Sequence, residues 1–369
     1  QTGYIHKSHV DELVNSQKRL QGRALKQPTH VYKGASRNSG SLKSYPKLSN
    51  LKFRELSRNW YEATVYIDRK AYTGYIHRSD VTTRDIVNTT RYNYDLKKMV
   101  DAQMRLTNPY PQTDYTNGRG WQTATRNQVE YFTHPDNFKR GTQEFFQFLV
   151  LSAPAGVNAS ELNQQLLNNA GVLRNKASVF IQGAERYNVN EVYLISHALL
   201  ETGNGTSDLA KGISKWIKRD GRCNIERDKN GNPIEVNIAP RKVYNMYGIG
   251  AIDDCARDRG AQRAYDEGWF SVDDAIREGA KFVANNYIHV GQDTLYKMRW
   301  NPDHLINNNN ASHQYASDVA WAVKQTKRIY EMYSKLSGNF TLVFDVPQFK
   351  NQSNAPKGSR NWTGTMKLE

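Results

Sequence analysis

The nine residues Thr2-Gly3-Tyr4-Ile5-His6-Lys7-Ser8-His9-Val10 return 71 positions later as Thr73-Gly74-Tyr75-Ile76-His77-Arg78-Ser79-Asp80-Val81, with seven of the nine identical. A period of that length is too long for a solenoid repeat and fits tandem small domains. The first copy then reads as the end of a module whose body precedes Gln1, and the second closes a complete module near residue 85. Charge supports the same division. Residues 1–85 hold 16 Lys+Arg against 7 Asp+Glu, more than half of the chain's net charge of +15 in under a quarter of its 369 residues. This stretch is expected to be a separate basic module.

Strand signals dominate that module. Ala63, Val65 and Ile67 alternate with Glu62, Thr64 and Tyr66, the period of a half-buried strand. A polar turn at Asp68-Arg69-Lys70 leads into Ala-Tyr-Thr-Gly-Tyr-Ile, and Gly, Ser and Pro mark residues 34–50 as loops. A small all-β fold is expected. The Trp60-centred strand, the polar turn and the closing Gly74-Tyr75-Ile76-His77 resemble the GW (SH3-like) repeats of Gram-positive surface proteins. That resemblance implies attachment to anionic wall polymers, teichoic or lipoteichoic acid, through residues 1–85. Trp60 and the tyrosines can equally be core, because aromatics dominate small cores.

Composition narrows the remaining choices. Aromatic residues make up 11% of the chain, enough to build cores, so it is not a disordered polyelectrolyte. No run of eighteen apolar residues exists to span a membrane. A sequence pI near 9.6 calls for a polyanionic environment. Nucleic acid is disfavoured, since there is no basic helix or aromatic-basic platform. There is no phosphate-binding glycine loop, no Gly-x-Ser-x-Gly elbow and no His-Glu-x-x-His motif, so neither cofactor nor metal is expected. Asp228-Lys229-Asn230-Gly231-Asn232 echoes the start of a calcium loop, but Pro233 stands where the loop needs glycine. Cys223 and Cys255 are too few for a disulfide scaffold and can form one local bridge.

Residues 86–157 read as a polar linker and the start of the next domain, with one helix at about 93–104. From 158 helical patterns take over. Asn158 caps one helix, a second covers 173–187, Ser271 caps a third over 271–288, and a long one covers 317–336. Residues 345–369 read as a tail. The helix over about 189–201 is the most informative. Val192, Ile195, Ala198 and Leu199 form its apolar stripe, and Gly203 sits where a helix ends. Glu201 falls in the last turn, where the helix dipole disfavours a carboxylate, and it lies among Leu and Tyr. Its pKa is expected to rise, as a general acid for glycosidic cleavage requires. His197, one turn earlier, reads as a packed or hydrogen-bonding histidine.

The string Ile195-Ser196-His197-Ala198-Leu199-Leu200-Glu201-Thr202-Gly203-Asn204-Gly205-Thr206-Ser207 resembles the catalytic motif of glycoside hydrolase family 73, and Tyr244-Asn245-Met246-Tyr247-Gly248-Ile249-Gly250-Ala251 resembles its second motif. Gly268-Trp269, Asn286-Tyr287-Ile288 and Thr294–Trp300 continue the likeness. It implies an α+β, mostly helical, lysozyme-like catalytic domain with a β-hairpin lobe over 158–344. The activity implied is that of an endo-β-N-acetylglucosaminidase on peptidoglycan glycan strands, in a secreted, cell-wall-associated monomer. On that reading Glu201 protonates the leaving oxygen. Asn204, Asn245, Tyr247 and Gly248 line the cleft, and Tyr287, Tyr296 and Trp300 are candidates to stack on sugars. The second carboxylate is Glu226 or Glu235, on a hairpin turning at Asn230-Gly231. If neither is needed, the substrate's own N-acetyl group is the nucleophile. A muramidase or lytic transglycosylase on the same fold, and a non-catalytic adhesin, are the alternatives.

Overall fold

The computed structural model describes residues 18–107, 110–116, 118–251, 253–337 and 340–352, so the first copy of the repeat and the end of the tail lie outside the described residues. The chain divides into two compact units: residues up to Val87 with Ser337–Val343, and Asn88–Leu336 with residues from Phe344 on.

The first unit is an antiparallel sheet of β1 (Arg19–Ala24), β2 (Thr29–Tyr32), β3 (Ser41–Tyr45), β4 (Asn50–Glu55), β5 (Trp60–Ile67), β6 (Lys70–His77) and β7 (Val81–Thr82), in the order β3-β2-β6-β5-β4-β1-β7. β5 and β6 pair from Trp60↔His77 to Ile67↔Lys70. Asp68 and Arg69 between them both adopt positive φ (48° and 66°), the geometry that lets a two-residue turn follow the twist of its strands. Ala63 and Val65 enter a core with Ala24, Val31, Leu51, Phe53, Tyr61, Ile76 and Val81. A fully buried Val or Ile there contributes about 1.5–3 kcal/mol. Trp60 lies outside that cluster, edge-on to His77 and Tyr32. β3 falls inside the stretch expected to be loop. Its sequence, Ser-Leu-Lys-Ser-Tyr, has too little apolar content to announce a strand, and its pairing with β2 supplies the order.

The second unit starts earlier than the helical pattern suggests. Within the stretch read as linker lie β8 (Ile86–Asp95), α1 (Leu96–Met104), the two-residue strands β9 (Gln112–Thr113) and β10 (Gln122–Thr123), and α2 (Arg126–Thr133). Tyr92, Met99, Val100, Phe132, Phe138, Phe145 and Phe148 are buried there. Then come α3 (Ala159–Gln165), α4 (Ala177–Tyr187), α5 (Glu191–Glu201), α6 (Asp208–Lys211), β11 (Lys215–Ile217), β12 (Glu235–Asn237), α7 (Ala256–Asp266), α8 (Val272–Asn286), α9 (Leu295–Trp300), α10 (Pro302–Asn308) and α11 (Trp321–Lys335). The segment read as a tail begins with β13 (Val343–Lys350), which pairs with β8. That partner is some 250 residues away, so local periodicity could not reveal the pairing.

α5 is the axis of this unit. It packs against α4 and α11, and every residue from Glu191 to Leu199 is buried. The Asn190 side chain caps its start by accepting from the backbone N–H of Val192 (3.0 Å) and Tyr193 (3.1 Å). Glu191 in the first turn accepts from Ala155 and Val157 N–H, both at 2.7 Å. One end of α5 is therefore pinned, and the register of its other end follows.

Candidate active site

Glu201 is the last residue of α5, and Gly203 just beyond turns the chain at φ +53°. The Glu201 side chain is 36% exposed, and burial of the rest pushes its carboxyl pKa up. His197 Nε2 lies 3.8 Å from Glu201 Oε1. Charged, it would lower the Glu201 pKa. Burial instead brings the His197 pKa down to about 4, so near neutral pH this contact is not an ion pair. Tyr315 Oη is hydrogen-bonded to the same Nε2 at 3.2 Å. Burial first, then the charge of Glu201, raises the Tyr315 pKa, so its hydroxyl keeps its proton.

Gly248 faces the carboxylate from the other side. It has φ +63°, and a Cβ built on it would stand 2.6 Å from Glu201 Oε2. A side chain at 248 is thus excluded twice, by backbone conformation and by the carboxylate. Asn245 and Tyr247, expected in the cleft, are buried and act behind it. Asn245 donates to the carbonyls of Ile249 (2.8 Å) and Gly260 (3.2 Å), and its Oδ1 accepts from the N–H of Tyr247 and Ile249. This fixes the turn that presents Gly248. Tyr247 donates to Ile276 O (3.2 Å) and sets its ring edge-on to His197.

A cavity of ≈ 30 Å³ opens beside Glu201, room for a water or two. Tyr193, His197, Tyr315, Trp321 and Gln325 line it, and among its described lining residues Glu201 is the one acid. Tyr287, half-buried, stands 5.0 Å from Tyr315, whose ring stacks on Trp321 at 4.5 Å. The site's aromatic row is therefore Tyr287, Tyr315 and Trp321. Tyr296 and Trp300 are corrected to core. Both are fully buried, and Tyr296 Oη donates to Thr133 O at 2.6 Å, leaving no face for a sugar. Nothing in the sequence marks Tyr315, because residues 312–318 have no helix or strand period. Trp321 was read only as part of a helix.

The β-lobe has three extended runs. β11 pairs with β12, and between them the chain makes two turns, one closed by Asp220 N–H to Asn224 O and one at Asn230-Gly231. The Cys223–Cys255 disulfide ties the first turn to the start of α7, and Arg219 on the lobe pairs with Asp258 of α7 at 2.9 Å. Glu226 and Glu235 are both exposed on this lobe, and Glu235 pairs with Lys215 across the ladder at 2.9 Å. Neither lines the Glu201 cavity. Asn204, exposed at φ +58°, accepts from Arg328 Nη1 at 3.2 Å. The described residues contain no cluster of three or more His, Cys, Asp or Glu able to hold a metal ion.

At the end of the central helix of this mostly helical α+β unit, the raised pKa of Glu201 favours a carboxyl that holds its proton. Residues 177–334 match the glucosaminidase family model, described as mannosyl-glycoprotein endo-β-N-acetylglucosaminidase. The chain is 39% identical over 312 residues to the β-N-acetylglucosaminidase of Bacillus subtilis (strain 168), covering 82% of this chain and 32% of that relative, so it spans about a third of the relative's length. The crystal structure of a major bifunctional autolysin, 36% identical, superposes with a TM-score of 0.55 over 72% of this chain and 100% of that one. A catalytic glutamate-to-alanine mutant of Staphylococcus aureus autolysin E, in complex with the disaccharide NAG-NAM, is 32% identical, with a TM-score of 0.50 over 70% of this chain and 98% of that one. The chain belongs to the glucosaminidase family.

Proposed function

We propose that the chain is a peptidoglycan hydrolase that cuts the β-1,4 bond between N-acetylglucosamine and N-acetylmuramic acid, with Glu201 as general acid. The observation that carries this reading is the Glu201 carboxyl itself, raised in pKa beside a neutral His197 and faced by Gly248 on its other side. Protonated Glu201 gives its proton to the glycosidic oxygen as that bond breaks. The cavity supplies one carboxylate, which favours attack by the substrate's N-acetyl oxygen on the anomeric carbon. Water then opens the resulting ring, and Glu201 takes its proton. Glu226 and Glu235 remain the alternatives for the second carboxylate. The relative solved with NAG-NAM supports a disaccharide-repeat substrate.

Residues 1–85 form, on this reading, an SH3-like wall-binding module holding anionic polymers, in a secreted enzyme acting at the wall. Residues 158–344 then form the hydrolase core, extended by the elements from β8 onward. Digestion of purified peptidoglycan, borohydride reduction and mass spectrometry test the bond. Reduced N-acetylglucosamine is expected, whereas reduced or anhydro muramic acid refutes it. Full activity in Glu201→Gln refutes the acid, and Glu226→Gln against Glu235→Gln ranks the partners. Wall binding that resists rising salt would contradict the module's role, because exposed charges are screened beyond about 10 Å at 0.1 M salt.

A further inference from the structure

The two cysteines of the chain are joined to each other, and the proposed cleavage uses neither. Cys223 ends the three-residue turn between Asp220 and Asn224 at φ +65°, a position that hairpins of this length give to glycine. The other turn of the lobe has a glycine in that conformation, Gly231 at φ +83°. The first turn gains nothing from a Cβ there, so the sulfur is the reason for the cysteine.

What the sulfur secures is a part of the lobe without a core. No residue from 218 to 234 is buried, whereas Ile213, Trp216 and Val243 at the base of the lobe are. Polar contacts to α7 accompany the bridge: Arg219 with Asp258 (2.9 Å), and Arg259 Nη1 donating to Arg219 O (2.9 Å). Segments with so little buried surface open at low free energy, and a covalent link removes those open states. The link joins positions 32 apart, and the ring it closes contains the turn that presents Gly248 to Glu201. Outer lobe and Gly248 turn thus belong to one loop whose ends cannot separate while the bridge is intact.

We propose that Cys223–Cys255 is a redox latch: a dithiol opens it, the outer lobe comes loose, and the enzyme loses activity until the bridge re-forms. The activity meant is the peptidoglycan cleavage above, so the proposal rests on that reading. A thiolate of the dithiol attacks Cys223 Sγ, the sulfur of the more exposed partner, and the bond to Cys255 Sγ breaks. Cys255 leaves as a thiolate and takes up a proton. The second thiol of the dithiol then attacks the mixed disulfide and frees Cys223. The dithiol is oxidised to its own disulfide, and the bridge is reduced to two thiols.

The test compares oxidised, dithiothreitol-reduced and re-oxidised enzyme by kcat/KM on purified peptidoglycan and by hydrogen exchange over 218–234. Reduction should raise that exchange and lower kcat/KM about tenfold, a usual size for coupling between two sites. Re-oxidation with oxidised glutathione should restore both, and an unchanged circular dichroism spectrum shows that the helices stay folded. Cys223→Gly/Cys255→Ala, which suits the turn and removes the bridge, should behave as the reduced enzyme and ignore dithiothreitol. Equal kcat/KM in the two redox states overturns the proposal. So does exchange that fails to rise, or a double variant as active as oxidised wild type. If oxidised enzyme cuts no peptidoglycan while exchange still rises on reduction, the latch is supported and the peptidoglycan reading fails instead.

Discussion

Replacing Gly248 by alanine separates the geometry of the acid from the stability of the fold. The added Cβ would stand 2.6 Å from Glu201 Oε2, and ordinary contact begins at 3.4 Å, so the carboxylate or the turn must move by about 0.8 Å. Misplacement near 1 Å at a reacting group costs about a hundredfold in rate. The backbone adds its own term, because φ +63° costs a non-glycine residue about 1–2 kcal/mol. In a unit of this size that lowers the melting temperature by about 2–8 °C. Gly291→Ala supplies the control. It has φ +95°, and its Cβ would meet nothing within 4 Å, so it bears the backbone cost without touching the carboxylate. The assay is release of reducing ends from purified peptidoglycan, with calorimetry alongside. Gly248→Ala should be about a hundredfold slower at saturating substrate, and Gly291→Ala should stay within about threefold of wild type. A Gly248→Ala enzyme that folds and keeps wild-type kcat would refute the argument that this glycine exists to let Glu201 be approached.

Three further outcomes follow from the same site. Because burial raises the Glu201 pKa, the protonated acid is lost as pH rises through that pKa, and kcat/KM should fall on the alkaline side; the carboxyl favours the folded state in acid, so Glu201→Gln should melt no lower than wild type at pH 7 and lose any advantage below about pH 4. His197 has the opposite sign: its folded pKa of about 4 lies below the ordinary 6.5, so wild type should lose about 3 kcal/mol relative to His197→Phe as pH falls from 6.5 to 4, measured by urea unfolding. Glu191→Ala should destabilise by about 3 kcal/mol in the same assay, since it strands the buried N–H groups of Ala155 and Val157, and an unaltered midpoint would show that those loops find other acceptors.

The helix that carries Glu201 is legible in the sequence because its start, stripe and stop are all local. The strands β5 and β6 and the helices α8 and α11 were legible for the same reason. Within the site, Glu201 and Gly248 could be picked out by motif, but their contact joins positions 47 residues apart. The errors came from residue types that serve several purposes. Trp300 and Tyr296 look like sugar platforms in a list of aromatics, yet both fill the core. Asn245 looks like a cleft amide, yet it spends its donors and acceptors on its own turn. Tyr315 was invisible because hydrogen bonds from distant side chains, rather than periodicity, fix its position.

Those bonds bear on how the enzyme ages under heat. Arg299, fully buried, donates to Asp318 O (2.6 Å), Ser317 O (3.0 Å) and Gln314 Oε1 (3.1 Å), while Asn301 and Gln292 hold the carbonyls of Ser312 and His313. The strap bearing Tyr315 thus has no helix or strand of its own and is kept in place by polar side chains of α9 and its flanks. Segments held this way open at lower free energy than packed helices. Catalysis should therefore fade on warming before the helices melt and return on cooling. An inactivation curve that leads the unfolding curve would identify this strap as the part of the enzyme that sets its working temperature.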